Sequence, residues 1–301
     1  MIKLGDTRLD VVWETDDHSF DAQQFFKHST REDFARHEDW ISPLHFDAHT
    51  NRIALSMHSW LVRTPRLTVL IDGCVGNDKQ RPTRPAWHEL NTPFLDRLAA
   101  LGVKPADVDY VMCTHLHADH VGWNTCLVDG RWVPTFPNAK YVISRREHEI
   151  WQARFETNTA DEPGHHLQSF IDSVLPIVEA GKALIVDDGY ELDDLITIEA
   201  APGHTEGHVA IWLHAGRESG VFTGDVIHHP IQIHHPDWSC MGCENPTDAN
   251  RTRARILERC LSQGTLLLPG HFMAPHAGYV EHDTHGLSFR FVDGRTTRRD
   301  D

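Results

Sequence analysis

Four side chains able to bind a metal ion, His115, His117, Asp119 and His120, fall within residues 114–122, Thr-His-Leu-His-Ala-Asp-His-Val-Gly. Imidazole and carboxylate are donors for zinc and related first-row cations, so the cluster points to metal chemistry. Just upstream, Val108, Tyr110, Val111 and Met112 form a short apolar run, broken by Asp109, that predicts a buried strand. Side chains alternate along a backbone leaving a strand, which lets His115 and His117 point the same way. Asp119 and His120 lie past the bend and turn towards a second point nearby. Two ions sharing one pocket suit that arrangement. Because the chain has 24 histidines in 301 residues, a solvated histidine-rich loop is the competing reading.

Three further stretches supply ligands. Residues 201–208, Ala-Pro-Gly-His-Thr-Glu-Gly-His, set His204 in a glycine-flanked turn. Residues 221–225 end an apolar run in Asp225, and residues 266–271 end another in His271. A glycine beside each ligand removes a Cβ and lets the backbone approach an ion. The order His-x-His-x-Asp-His, Gly-His-Thr-x-Gly-His, Asp, His resembles the metallo-β-lactamase superfamily, over the stretch from Leu67 to His271. The resemblance implies an αββα sandwich, with mixed sheets between helix layers. It puts His115, His117 and His204 on a first metal, Asp119, His120 and His271 on a second, and Asp225 across both. Asp72-Gly73 resembles the strand-turn that backs the metals in such proteins. His208 shares the turn with His204; a supporting role and a packing role are both open to it.

Two zinc ions per chain are the implied cofactor, with manganese, cobalt or iron compatible with the same donors. The implied reaction is attack by a metal-bridging hydroxide, aimed by Asp119, on a small lactone or related ester. A phosphotriesterase or other xenobiotic hydrolase on the same ligands is the alternative. Glyoxalase II-type thioesterase and β-lactamase activity rank below both. His228 stands three residues past Asp225, where many quorum-quenching lactonases carry Tyr, and a His there resembles the organophosphate-hydrolysing members. It is a candidate proton donor to the leaving group; otherwise it packs or braces a ligand. Trp123, Trp238, Phe272 and Met273 are pocket or core residues.

The remaining chain must position these groups. With no Pro/Gly/Ser-rich linker or repeat, and with ligands spread from His115 to His271, one domain over 1–301 is expected, with 1–50 as an N-terminal arm packing on it or on a partner. Trp13, Phe20, Phe25, Phe26 and Trp40 in that arm suggest a homodimer. A net charge of −16 argues against nucleic acid, because a phosphate backbone calls for Lys and Arg. No apolar run is long enough to span a bilayer, and the N-terminus shows no secretory pattern, so a cytoplasmic protein acting on a small molecule, away from membranes, is expected. The six cysteines read as mostly free. Cys240-Met-Gly-Cys243 is a structural thiol pair, a redox pair or half a zinc site lacking its second half.

Strands are expected at 9–13, 52–62, 67–71, 141–143, 183–186, 195–198, 209–213 and 221–223. A short segment follows the first strand, with Ala22, Phe25 and Phe26 on one face. Helices are expected at 31–37 behind the Ser29-Thr30 cap and near 94–101, at 145–155, at 165–175 halted by Pro176, and at 248–261 capped by Thr247. A mildly basic tail, 290–299, reads as a solvated end.

Overall fold

The computed structural model describes residues 1–160, 164–284 and 286–294. The chain forms two compact units, Met1–Thr15 with Met57–Tyr190, and Asp16–Ser56 with Glu191–Asp301. Strands Thr7–Asp21 and Arg52–Arg63 run from one unit into the other. The first of these is far longer than the 9–13 its apolar residues suggest.

In the first unit, Thr68–Ile71, Tyr110–Met112, Lys140–Ser144 and Ala183–Val186 lie side by side in parallel. Their short apolar sequences suit strands covered on both faces. Arg52–Arg63 joins Thr68–Ile71 antiparallel, which makes the sheet mixed. Phe94 and Leu98 of helix Phe94–Ala100 pack with Leu70, Val111 and Tyr141, while Trp151 of helix Arg145–Thr157 packs with Cys113, Leu116, Ile143 and Phe170. Pro176 does not end the helix before it. The chain runs His165–Ser169, a π-helical Phe170–Val174, then helix Leu175–Glu179, where Pro176 sits in the first turn and its missing N–H is no loss.

The second unit holds a seven-stranded sheet, in order Glu191–Leu192, Ile196–Ala200, Val209–Ala215, Glu218–Gly224, Leu266–Pro269, Gly278–Asp283 and Gly286–Phe291. All pairings are antiparallel except Glu218–Gly224 with Leu266–Pro269. Helix Pro246–Gln263 buries Ile256, Leu257 and Cys260 with Val221, Leu267 and Phe272. Its cap is Asn245, not Thr247: the Asn245 side chain accepts from Asp248 N, and Pro246 takes the first helical position. Thr30 caps Arg31–Ala35 as expected, with Asp33 closing a capping box. The arm's aromatics serve its own core: Phe26 and Phe34 are buried, each with its ring 6.0 Å from that of Trp238. Of the basic tail, Arg290 lies in a strand and donates to Glu281, and residues 295–299 lie outside the described residues.

Candidate metal centre

The His115–His120 loop leaves the C-terminal end of strand Tyr110–Met112, between parallel neighbours, where open α/β sheets place their ligands. A turn of helix, Ala118–Val121, follows, and all four candidate ligands are buried. His115 lies with its ring centroid 4.6 Å from that of His117 and 4.1 Å from that of His120. Asp119 Oδ2 is 3.8 Å from His120 Nε2. The sequence brings these four together as its spacing suggests.

Several residues hold the loop. Asp72 accepts from Thr114 N and Thr114 Oγ1, both at 2.8 Å, and its Oδ2 lies 2.9 Å from His120 Nδ1. That contact on Nδ1 is the arrangement by which a carboxylate orients a metal-binding imidazole through its other nitrogen. Glu147 accepts from Leu116 N at 3.1 Å and from Trp151 Nε1 at 2.9 Å. His166 accepts from Ala118 N at 3.1 Å and stacks on His117 at 3.8 Å. Gly122 closes the turn against the segment after Asp72. A Cβ there would sit 1.7 Å from Val75 O, so no other residue fits.

In the second unit, Asp225 and His271 leave the same ends of neighbouring parallel strands. Register with Val209–Ala215 brings the His204 turn beside them. Three imidazoles converge on one carboxylate: His204 Nε2 and His228 Nε2 lie 3.1 and 3.0 Å from Asp225 Oδ2, and His271 Nε2 lies 3.0 Å from Oδ1. All four groups are buried. Carboxylate and imidazole donors this closely grouped fit a divalent cation such as zinc. His208 takes the supporting role, because Asp225 N donates to its Nε2 at 3.1 Å. His271 Nδ1 meets Ser56 O at 3.1 Å. Arg253, fully buried on helix Pro246–Gln263, donates to Val226 O at 2.8 Å and ties down the segment after Asp225.

His228 does not project freely. Besides Asp225, its Nε2 faces Cys240 Sγ at 3.5 Å, and its ring packs edge-on to Phe25 at 5.5 Å. Burial holds its pKa below the ordinary imidazole range, against the pull of Asp225. The Cys240 thiol, facing Cys243, lowers the Cys243 pKa, and His204 adds to this, while burial raises Cys240. Trp123 and Phe272 belong to the cores of their units, and Trp238 stacks on His235 at 4.1 Å. Glu147, His166 and the meeting of the cysteines with His204 escaped the sequence reading; their partners lie 31 to 48 positions away.

A model of the metallo-β-lactamase superfamily matches residues 53–271. The chain belongs to the metallo-β-lactamase superfamily. It is 32% identical over 170 residues to the N-acyl homoserine lactonase AttM of Azorhizobium caulinodans, a match covering 50% of this chain and 56% of AttM. It therefore spans little more than half of that relative. It is 28% identical over 213 residues to metallo-beta-lactamase domain-containing protein 1 of Xenopus laevis, covering 70% of this chain and 68% of that one. Among solved structures, the hydrolase AbOPH matches with a TM-score of 0.78 at 21% identity, over 96% of this chain and 95% of that one. AidC, a dizinc quorum-quenching lactonase, matches at 0.74 and 22% identity, over the same shares. These likenesses show the fold: this metallo-β-lactamase superfamily member has the mixed sheets and helices expected of it. Among the described residues, no helix is long and apolar enough to cross a membrane.

Proposed function

We propose that this chain is a dinuclear zinc-dependent hydrolase of the lactonase type, opening a small lactone or related ester. The observation that carries the reading is the Asp225 carboxylate, met by the buried nitrogens of His204, His228 and His271 at 3.0–3.1 Å. Similarity to AttM, an N-acyl homoserine lactonase, supports the substrate class. By motif order we assign His115, His117 and His204 to a first zinc, Asp119, His120 and His271 to a second, and Asp225 to both. Two cations so held would supply a water of near-neutral pKa and a Lewis acid for the substrate oxygen. Asp119 accepts a proton from the attacking water and aims it. His228 donates to the departing oxygen. Asp72 and His208 keep His120 and Asp225 oriented.

A phosphotriesterase on the same residues is the second reading, favoured by His228 at the position three past Asp225. We also propose a cytoplasmic homodimer with no nucleic-acid or membrane partner. The cysteines, all free, agree with a reducing compartment, and the homodimer rests on the aromatic richness of the arm. Assay of the metal-loaded protein against N-acyl homoserine lactones, aryl esters, phosphotriesters and β-lactams tests the reading. Lactones should be turned over with the highest kcat/KM. Phosphotriester turnover without lactone turnover would replace it with the second reading.

A further inference from the structure

Cys240 and Cys243 sit on the loop that leads into helix Pro246–Gln263, and this loop is laced to the His204 turn. Glu244 N donates to His204 O at 3.0 Å, and Asn245 N to Gly203 O at 2.9 Å. Cys243 N donates to Cys240 O at 3.2 Å, which folds the Cys-x-x-Cys into a turn with both sulfurs on one side. Gly242 lies against His204: a Cβ there would stand 3.4 Å from His204 Cε1, in van der Waals contact with the ring.

The three donors form a triangle. The sulfurs are 3.5 Å apart, and each lies 3.8 Å from Nδ1 of His204. On a tetrahedral zinc with bonds of about 2.3 Å to sulfur and 2.0 Å to nitrogen, two thiolates stand ~3.8 Å apart and a thiolate and imidazole nitrogen ~3.5 Å apart. The observed edges of 3.5 and 3.8 Å lie within about 0.3 Å of those values. Among the described residues, these three donors form a group of metal-binding type.

We propose that Cys240, Cys243 and Nδ1 of His204 form a third metal site, for a thiophilic cation such as zinc, sharing only His204 with the carboxylate–imidazole set. The donor set decides the class: two thiolates and an imidazole select zinc, cadmium or copper(I) over magnesium, calcium or manganese. His204 serves both sets with different atoms, since its Nε2 faces Asp225 at 3.1 Å while Nδ1 faces the sulfurs; with a cation on each nitrogen the ring is an imidazolate, its N–H proton released to solvent. Cys240 and His204 are buried and Cys243 half-buried beside exposed Met241, which gives an ion a way in. An ion here fixes the plane of the His204 ring. The site rests on the geometry of one loop, so it stands or falls apart from the lactone reading.

Cadmium titration of the reduced, metal-free full-length protein tests it, because cadmium bound to thiolate absorbs in the ultraviolet and cadmium on carboxylate or imidazole does not. One equivalent should develop the thiolate band. The variants Cys243→Ser and Cys240→Ser/Cys243→Ser, checked for folding by circular dichroism, should lack the band and bind one ion fewer. If the double variant fails to fold, the half-buried Cys243→Ser alone carries the comparison. No band in wild type while both thiols react freely with a thiol reagent would overturn the proposal. So would a band that survives in Cys243→Ser. Loss of lactone turnover leaves this result untouched, because the readout is the sulfur–metal absorption itself.

Discussion

Asp72 Oδ2 lies 2.9 Å from Nδ1 of His120, and the same carboxylate holds both donors of Thr114 at 2.8 Å. One side chain thus sets the ring of a candidate ligand and the start of the loop that bears three others. Asp72 adopts a φ of 59°, a region Asn also tolerates. Asp72→Asn should therefore keep the fold but weaken metal binding about 10- to 100-fold, the range for losing such a brace. Competition with a chromophoric chelator measures this. Unchanged affinity would mean that His120 needs no orienting partner.

Asp172 is the anion of a buried cluster. Arg81 donates to it twice, at 2.7 and 2.9 Å, and Lys79 Nζ stands 3.6 Å away, with Arg81 and Lys79 fully buried. Burial pulls the Lys79 pKa down to about 7, so this amine can shed its charge, whereas the guanidinium cannot. Asp172→Ala should cost about 3–5 kcal/mol, because it strands Arg81 unpaired in the interior. Urea unfolding checks it, and a loss below about 1 kcal/mol would show that water reaches the cluster.

Most of the candidate metal donors were legible because they are local. The candidate donors of residues 115–120 come from one loop, and Asp225 and His271 end apolar strands beside glycines, so local pattern and motif order pointed to them. Two helix boundaries failed where a neighbouring proline changed the local rule, and strand Thr7–Asp21 ran on past its apolar residues through a polar stretch. Pro176 sits where a helix tolerates it, and Pro246 moved the cap back to Asn245. Contacts between distant positions left no trace in spacing. Cys240 and Cys243 meet His204 only because a backbone ladder joins their loop to its turn, and the sequence showed half a site without the other half.

Glu14 couples folding to pH. It accepts from Val75 N at 2.8 Å, Gly76 N at 3.0 Å and Trp123 Nε1 at 2.5 Å, and burial raises its carboxyl to about 7. The ordinary value is 4.5, so between pH 4.5 and 7 the folded chain holds a proton that the unfolded chain releases. Stability should fall as pH rises through that window, by up to ~3 kcal/mol from this group. Glu14→Gln, which keeps an acceptor for Trp123, should flatten that part of the profile. Identical slopes in thermal melts of the two proteins would contradict the shift.

His228→Ala should retain the metal ions and lower kcat by roughly ten- to a thousandfold, the range for one general acid. Steady-state kinetics with metal analysis on the same sample decides it. Unchanged kcat would make His228 a brace for Asp225, and loss of an ion would make it a ligand.

The central claim is tested most directly by following ring opening of an N-acyl homoserine lactone, through the proton it releases, as metal is removed and restored. The account predicts turnover that vanishes on chelation, returns as about two equivalents of zinc are added back, and never returns in Asp225→Ala. Turnover that persists in the thoroughly chelated protein, or fails in a fully zinc-loaded one, would contradict it.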